Sequence, residues 1–206
     1  MKILVIGGTG IIGKSVADLL KKEHDVITIG KNGGDYQLDI ENKASIEKMF
    51  EDFKDVDGVI STTGMANFAP LKDHTDADFE LAINNKLMGQ VNLARVALNQ
   101  VKENGFIILT TGSASYEPMP GSASITMASA GVEGFVKAAN LEKEKNIRIN
   151  VVRPAAVVET LEALGMSFPN AVSAYDTARV YKAVTELNES GQMYNMHECL
   201  ELINDK

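Results

Sequence analysis

The chain has 206 residues, 45% of them hydrophobic and 23% charged, with a formal net charge of −8. That length suits one α/β domain with a sizeable core, and the acidic balance argues against nucleic acid or an anionic membrane as partner. Cys199 is the only cysteine, and His24, His74 and His197 lie far apart, so neither a disulfide nor a metal site is expected.

Lys2-Ile3-Leu4-Val5-Ile6 is a short apolar, β-branched run, the pattern of a fully buried parallel strand. It is too short for a signal peptide or a membrane span, which makes a reducing cytoplasm the expected setting. The strand runs into Gly7-Gly8-Thr9-Gly10-Ile11-Ile12-Gly13, and helical spacing follows over Lys14 to Leu20. Strand, glycine turn and helix, in that order, bring backbone N–H groups against a phosphate, and bare glycines let the main chain approach a pyrophosphate. Gly7, Thr9, Gly10, Ile12 and Gly13 are therefore the expected cofactor contacts of this turn. A tight turn that binds nothing is the plain alternative. Gly8 to Ser15 also spells the G-x-x-x-x-G-K-S phosphate loop of nucleotide triphosphatases. That reading needs an Asp closing a later strand to hold magnesium, whereas the runs at 56–60 and 106–109 lead into Ser61-Thr62-Thr63 and Thr110-Thr111.

Asp25 to Ile29 is a second strand, ending at Gly30-Lys31. In a dinucleotide fold this end faces the adenosine ribose, where a carboxylate suits the 2′-hydroxyl and a cation suits a 2′-phosphate. Lys31 thus favours NADP(H) over NAD(H). Only four residues separate Lys31 from Tyr36-Gln37-Leu38-Asp39-Ile40, so the helix expected between strands two and three is cut to a loop and strand three is short. A helix is expected over Ala44 to Phe53, strand four over Val56 to Thr62 and a long helix over Phe79 to Val101. Strand five spans Gly105 to Thr111, a helix Ser122 to Glu142, strand six Ile147 to Val152, a late helix Asp176 to Leu187 and a last strand Gln192 to Met196. No linker divides the chain. The alternation implies a single Rossmann-like domain over 1–206, a doubly wound parallel sheet in three α/β/α layers.

Several stretches together resemble the short-chain dehydrogenase/reductase family: Gly7 to Gly13, Leu38-Asp39-Ile40, Ser61-Thr62-Thr63-Gly64, Ala130 to Phe135, and Ile147 to Pro154. The resemblance covers nearly the whole chain. It implies an NAD(P) cofactor at the C-terminal edge of the sheet, with Asp39 at the adenine and Thr62 to Gly64 lining the cleft. Asp39 is also placed to cap the helix that begins near Ala44. Family catalysis rests on a Tyr and a Lys one helical turn apart, whose ammonium lowers the phenol pKa. Here that stretch falls on Ile125-Thr126-Met127-Ala128-Ser129, with Ile125 at the Tyr position and Ser129 at the Lys position.

Other departures agree. The family's Asn on the long helix falls on Lys86, and the catalytic Ser position falls on Gly112, with Ser113 one residue away. Pro154-Ala155 replaces a Pro-Gly pair. Lys86 and Ser113 are the candidate catalytic residues, Lys86 as proton donor or carboxylate anchor and Ser113 polarising a carbonyl. A snorkelling surface lysine is the alternative for Lys86. Tyr116 and His74 sit in loops expected to overhang the same cleft. Two functions fit: an NADP(H)-dependent oxidoreductase acting on a small carbonyl or alcohol through a non-standard site, or a catalytically silent dinucleotide-binding protein. Relatives pair through the helices corresponding to 79–101 and 122–142, so a homodimer or tetramer is expected.

Overall fold

Alternation along the first strand, β1 (Lys2–Ile6), sets the layering: Leu4 and Ile6 point into one apolar core, Ile3 and Val5 into another. A strand with apolar residues on both faces requires cover on both sides. In this computed structural model, which describes residues 1–204, α1 (Ile11–Leu20), α7 (Ala174–Glu186) and α8 (Met196–Asn204) cover one face. The other is covered by α2 (Lys43–Asp52), α4 (Gln90–Gln100) and α5 (Ala123–Glu142). The remaining strands are β2 (Asp25–Gly30), β3 (Tyr36–Gln37), β4 (Gly58–Ser61), β5 (Phe106–Thr110), β6 (Arg148–Arg153) and β7 (Met193–Asn195). All neighbours pair in parallel, in the order β3-β2-β1-β4-β5-β6-β7. The expected three-layer, doubly wound sheet is what forms.

The chain moves outward from β1 to β3 and then returns to the other side of β1, which opens a crevice beyond the C-terminal ends of β1 and β4. Ile6 is the hinge of that crevice, in register with Ile29 on one side and Ser61 on the other.

Some expected boundaries shift, each for a physical reason. β3 stops at Gln37 rather than Ile40, because the amides of Glu41 and Asn42 turn back onto Asp39. Leu38 and Ile40 stay buried outside the ladder. The helix after this turn is capped by Asn42, whose side chain accepts from Ala44 and Ser45, so Asp39 is not its cap. β4 is confined to Gly58–Ser61 within the expected 56–62. The long helix starts at Asp76, not Phe79, through a reciprocal Thr75–Asp78 capping box. It is also not uniform: α3 (Asp76–Leu81) passes into π-helical turns over Ala82–Gly89 before α4 begins. Two helices were not anticipated, α6 (Val158–Ala163) and α8. No helix among the described residues is long and apolar enough to cross a membrane.

Candidate functional site

The crevice holds a cavity of about 320 Å³. Its lining includes Gly7, Thr9, Gly10, Lys31, Asp39, Thr62 and Gly64, residues brought together from the ends of β1, β2 and β4 and the turn after β3. α1 starts at its edge with Gly10 as N-cap and no side chain capping the first turn. The amides of Ile11, Ile12 and Gly13 therefore lie at the positive end of a helix dipole, the arrangement that favours an anion. Gly13 stands behind the cavity: a Cβ there would collide with the Gly7 carbonyl, so only glycine lets helix and strand approach this closely. The Ile12 side chain turns away and packs against the core beneath the sheet. Lys14 is exposed on the first turn, and β4 and β5 end without a carboxylate.

At one end of the cavity, Lys31 is paired with Asp39 at 3.1 Å. The carboxylate of Asp39 also accepts from the Glu41 amide. Its partnership with Lys31 raises the lysine pKa by hydrogen bond and charge. Lys31 is thus an exposed cation held beside the cavity by an acid.

At the opposite end lies Lys86, only 7% exposed. Its Nζ donates to the Thr111 carbonyl at 3.0 Å. Gly64 passes directly over it with φ +139°, and a Cβ at that position would stand 3.2 Å from Nζ. Burial alone pushes the Lys86 ammonium down to about 8, since no carboxylate compensates it. The neighbouring Asn85 lines the cavity, donating to Glu41 and accepting from the Met65 amide. The π-helical turns place both side chains toward the crevice; such turns are frequent at functional sites. Gln90 closes this segment. Its backbone N–H donates to Leu87 rather than four residues back to Lys86. Its side-chain Nε2 takes up the Lys86 carbonyl instead, at 3.0 Å, and also donates to Thr110 O while Oε1 accepts from Thr110 N.

Beside Lys86, Thr111 donates through Oγ1 to Glu133, which is locked in a bidentate pair with Arg153. The guanidinium stabilises the carboxylate and holds its pKa down against the opposing effect of burial. Arg153 also donates to Asn195 and stacks 4.8 Å from the centre of the Tyr116 ring. Ser113 follows Thr111 in a short turn whose amide donates to the Pro154 carbonyl. Its hydroxyl makes no hydrogen bond among the described residues. Ser129 is fully buried and its hydroxyl is unpartnered there as well. His74 turns inward to Ser124, at 3.1 Å.

Of the expected cofactor residues, all but Ile12 and Gly13 line the cavity, and those two support it from behind. Lys86 and Thr111, the latter two residues before Ser113, meet beneath Gly64. Gln90, Asn85 and the Glu133–Arg153 pair were missed. Gln90 carried a legible signal: it sits one residue before Val91 on the stripe formed with Leu87 and Ala94, where a polar side chain must find partners.

A family model described as enoyl-(acyl carrier protein) reductase matches residues 12–196. Among curated proteins, hydroxynaphthalene reductase of Aspergillus fumigatus is 30% identical over 135 residues, covering 63% of this chain and 49% of that protein. The chain thus spans about half the length of the curated relatives it matches. Among solved structures, the protein lin1944 of Listeria innocua superposes with a TM-score of 0.89 at 36% identity, covering 95% of this chain and 98% of that one. A small-chain dehydrogenase superposes with a TM-score of 0.84 at 25% identity, covering 95% of each chain.

Proposed function

The chain belongs to the short-chain dehydrogenase/reductase family, and on that premise we propose that it is a cytoplasmic NADP(H)-dependent oxidoreductase acting on a small carbonyl or alcohol through a non-standard proton donor. The observation that carries this reading is the continuity of the crevice. One cavity runs from an uncapped helix N-terminus to Gly64, beneath which Lys86 is buried.

The residues present fit a dinucleotide. The amides of Ile11, Ile12 and Gly13 would hold the pyrophosphate, and Lys31 the 2′-phosphate, released from Asp39 as it does so. Thr62 and Gly64 would line the path toward the nicotinamide. When bound, that group supplies the hydride. The chain's own task is then to orient a carbonyl, polarise it and deliver a proton. Ser113 has a free hydroxyl to donate to the carbonyl oxygen. Lys86, with its pKa near 8, holds a proton at neutral pH that it can release to a developing alkoxide.

A second reading is supported by Ile125 and Ser129, which occupy the positions of the family's Tyr and Lys: a dinucleotide-binding protein without turnover. Titration with NADPH, followed by a carbonyl panel, separates the two. Cofactor oxidation supports the enzyme, and binding with no oxidation supports the silent protein. We also propose a homodimer or tetramer through the 79–101 and 122–142 helices, where Ile83, Met88, Met127 and Leu141 are exposed.

A further inference from the structure

Half of the large apolar side chains exposed among the described residues lie on the three segments that follow β4, β5 and β6, at the C-terminal edge of the sheet. The first of these segments is the most informative. Met65, Phe68 and Leu71 are 61%, 54% and 69% exposed. Yet this stretch is tied down by polar contacts: the Met65 amide donates to Asn85, the Ala69 amide to the Gly121 carbonyl, and Ser124 Oγ to the Asn67 carbonyl. The Phe68 ring lies against Gly121 in the loop after β5, and Met119 of that loop is exposed as well. An apolar surface held in place by hydrogen bonds, and left open to water, is a surface shaped to be covered.

Its occupant is set by what adjoins it. Met65 lines the cofactor cavity, so the apolar lip is continuous with the crevice rather than a separate patch. Charge on the lip nets to zero: Lys72 stands beside Asp73. Of the two cations deeper in, Arg153 is held by Glu133, and Lys86, beneath Gly64 with one N–H on the Thr111 carbonyl, is the group assigned above to the reacting oxygen. A substrate carboxylate would find no second cation among these groups and would have to compete with the reacting oxygen for Lys86, and Glu117 of the neighbouring loop adds a negative charge.

We infer that the substrate is an uncharged carbonyl compound with an extended apolar, ring-sized body, seated on the lip of Met65, Phe68, Leu71 and Met119. This rests on the oxidoreductase reading and narrows it by excluding 2-oxo acids and other anionic carbonyls.

The test is a series of acetone, acetophenone, 2-acetonaphthone and the charged phenylglyoxylate, each assayed with NADPH. The expected result is a kcat/KM that rises about tenfold with each added ring, the worth of the apolar area covered, and no preference for phenylglyoxylate over acetophenone. Phe68→Ser should lower kcat/KM for 2-acetonaphthone about tenfold more than for acetone. A flat series, or selection of phenylglyoxylate, overturns the inference. If no carbonyl is turned over, the oxidoreductase reading fails by itself. Calorimetry of 2-acetonaphthone on cofactor-saturated protein then decides the lip: binding weakened by Phe68→Ser supports it, and no binding overturns it. A Phe68→Ser protein that loses oligomeric mass in light scattering while its ketone series is unchanged assigns the lip to a second copy of the chain, which also overturns it.

Discussion

Gln90 gives its side-chain amide to the carbonyl of Lys86, the group its own backbone N–H would bind in an unbroken α-helix. The Gln90 backbone N–H goes to Leu87 instead, and the Gln90 side chain meets the Lys86 carbonyl while clamping both polar groups of Thr110 on β5. The same side chain thus fixes the helix that carries Lys86 and the strand leading to Thr111, whose carbonyl receives the Lys86 ammonium.

Gln90→Met should therefore destabilise the fold by about 2 to 4 kcal/mol, since it leaves buried Thr110 groups unpaired. Urea unfolding measures this. Gln90→Glu keeps an acceptor for the Thr110 amide but turns a carboxyl toward two carbonyls. That acid is favoured in its protonated form, so its folded pKa rises above the unfolded value. Relative to the parent, the variant should be at its most stable at low pH and lose stability as pH rises from the unfolded to the folded pKa of that acid. Parallel pH profiles for Gln90→Glu and the parent protein would contradict the geometry described.

Lys86 has the opposite linkage from a paired lysine. Its folded pKa lies near 8 and its unfolded value near 10.5. Between those values the unfolded chain binds more protons, so unfolding becomes harder as pH rises from about 8 to 10.5. The displacement corresponds to about 3 kcal/mol of penalty at neutral pH. Lys86→Met lacks this dependence. The variant should be the more stable protein at pH 7, and the difference should shrink on going to pH 10, as read by denaturant titration at each pH. A gap that is constant with pH would show that Lys86 is not buried as a charged group. In turnover, carbonyl reduction by the parent should fall above pH 8 as the amine loses its proton, and Lys86→Met should show little activity at any pH.

The Glu133–Arg153 pair is buried and joins α5 to the ends of β5 and β6. Arg153→Met strands a carboxylate and should cost about 3 to 5 kcal/mol, while the Glu133→Gln/Arg153→Met double variant should recover part of that loss. Thermal unfolding of the three proteins checks the order. A single variant as stable as the parent would leave the pair without a structural role.

The layers and the doubly wound parallel sheet were legible because they rest on local pattern: apolar strands, a glycine turn and an amphipathic helix after it. Lys86 was legible as a departure from a family pattern, and its burial was not. The stripe over Phe79, Ile83 and Leu87 places Lys86 at a helix flank if the helix is regular; the π-helical turns rotate it inward, and no propensity signals them. Asp39 offered two roles in sequence; Asn42 holds the helix cap, which removes one of them, and the Asp39 carboxylate pairs with Lys31. Gln90, Glu133 and Arg153 were harder, because a buried polar group is explained only by partners from distant elements. α6 and α8 are short, with too few turns for a helical period to stand out in the sequence.

Lys31 sets the cofactor preference in this account. Lys31→Ala should weaken NADPH by about tenfold, the loss of one charge-assisted contact, and NADH far less, because the freed Asp39 repels only the 2′-phosphate. Equal losses for both, by fluorescence titration, would remove Lys31 from that role.

The central claim is that a nicotinamide dinucleotide rests on the uncapped turn between β1 and α1, and isothermal calorimetry of the parent protein and Gly13→Val tests it most directly. The account predicts one saturable site for NADPH, weaker binding of NADH, and loss of both in the variant, where the branched side chain forces helix and strand apart. No binding of either dinucleotide to the parent, or binding of ATP with magnesium in their place, would contradict it.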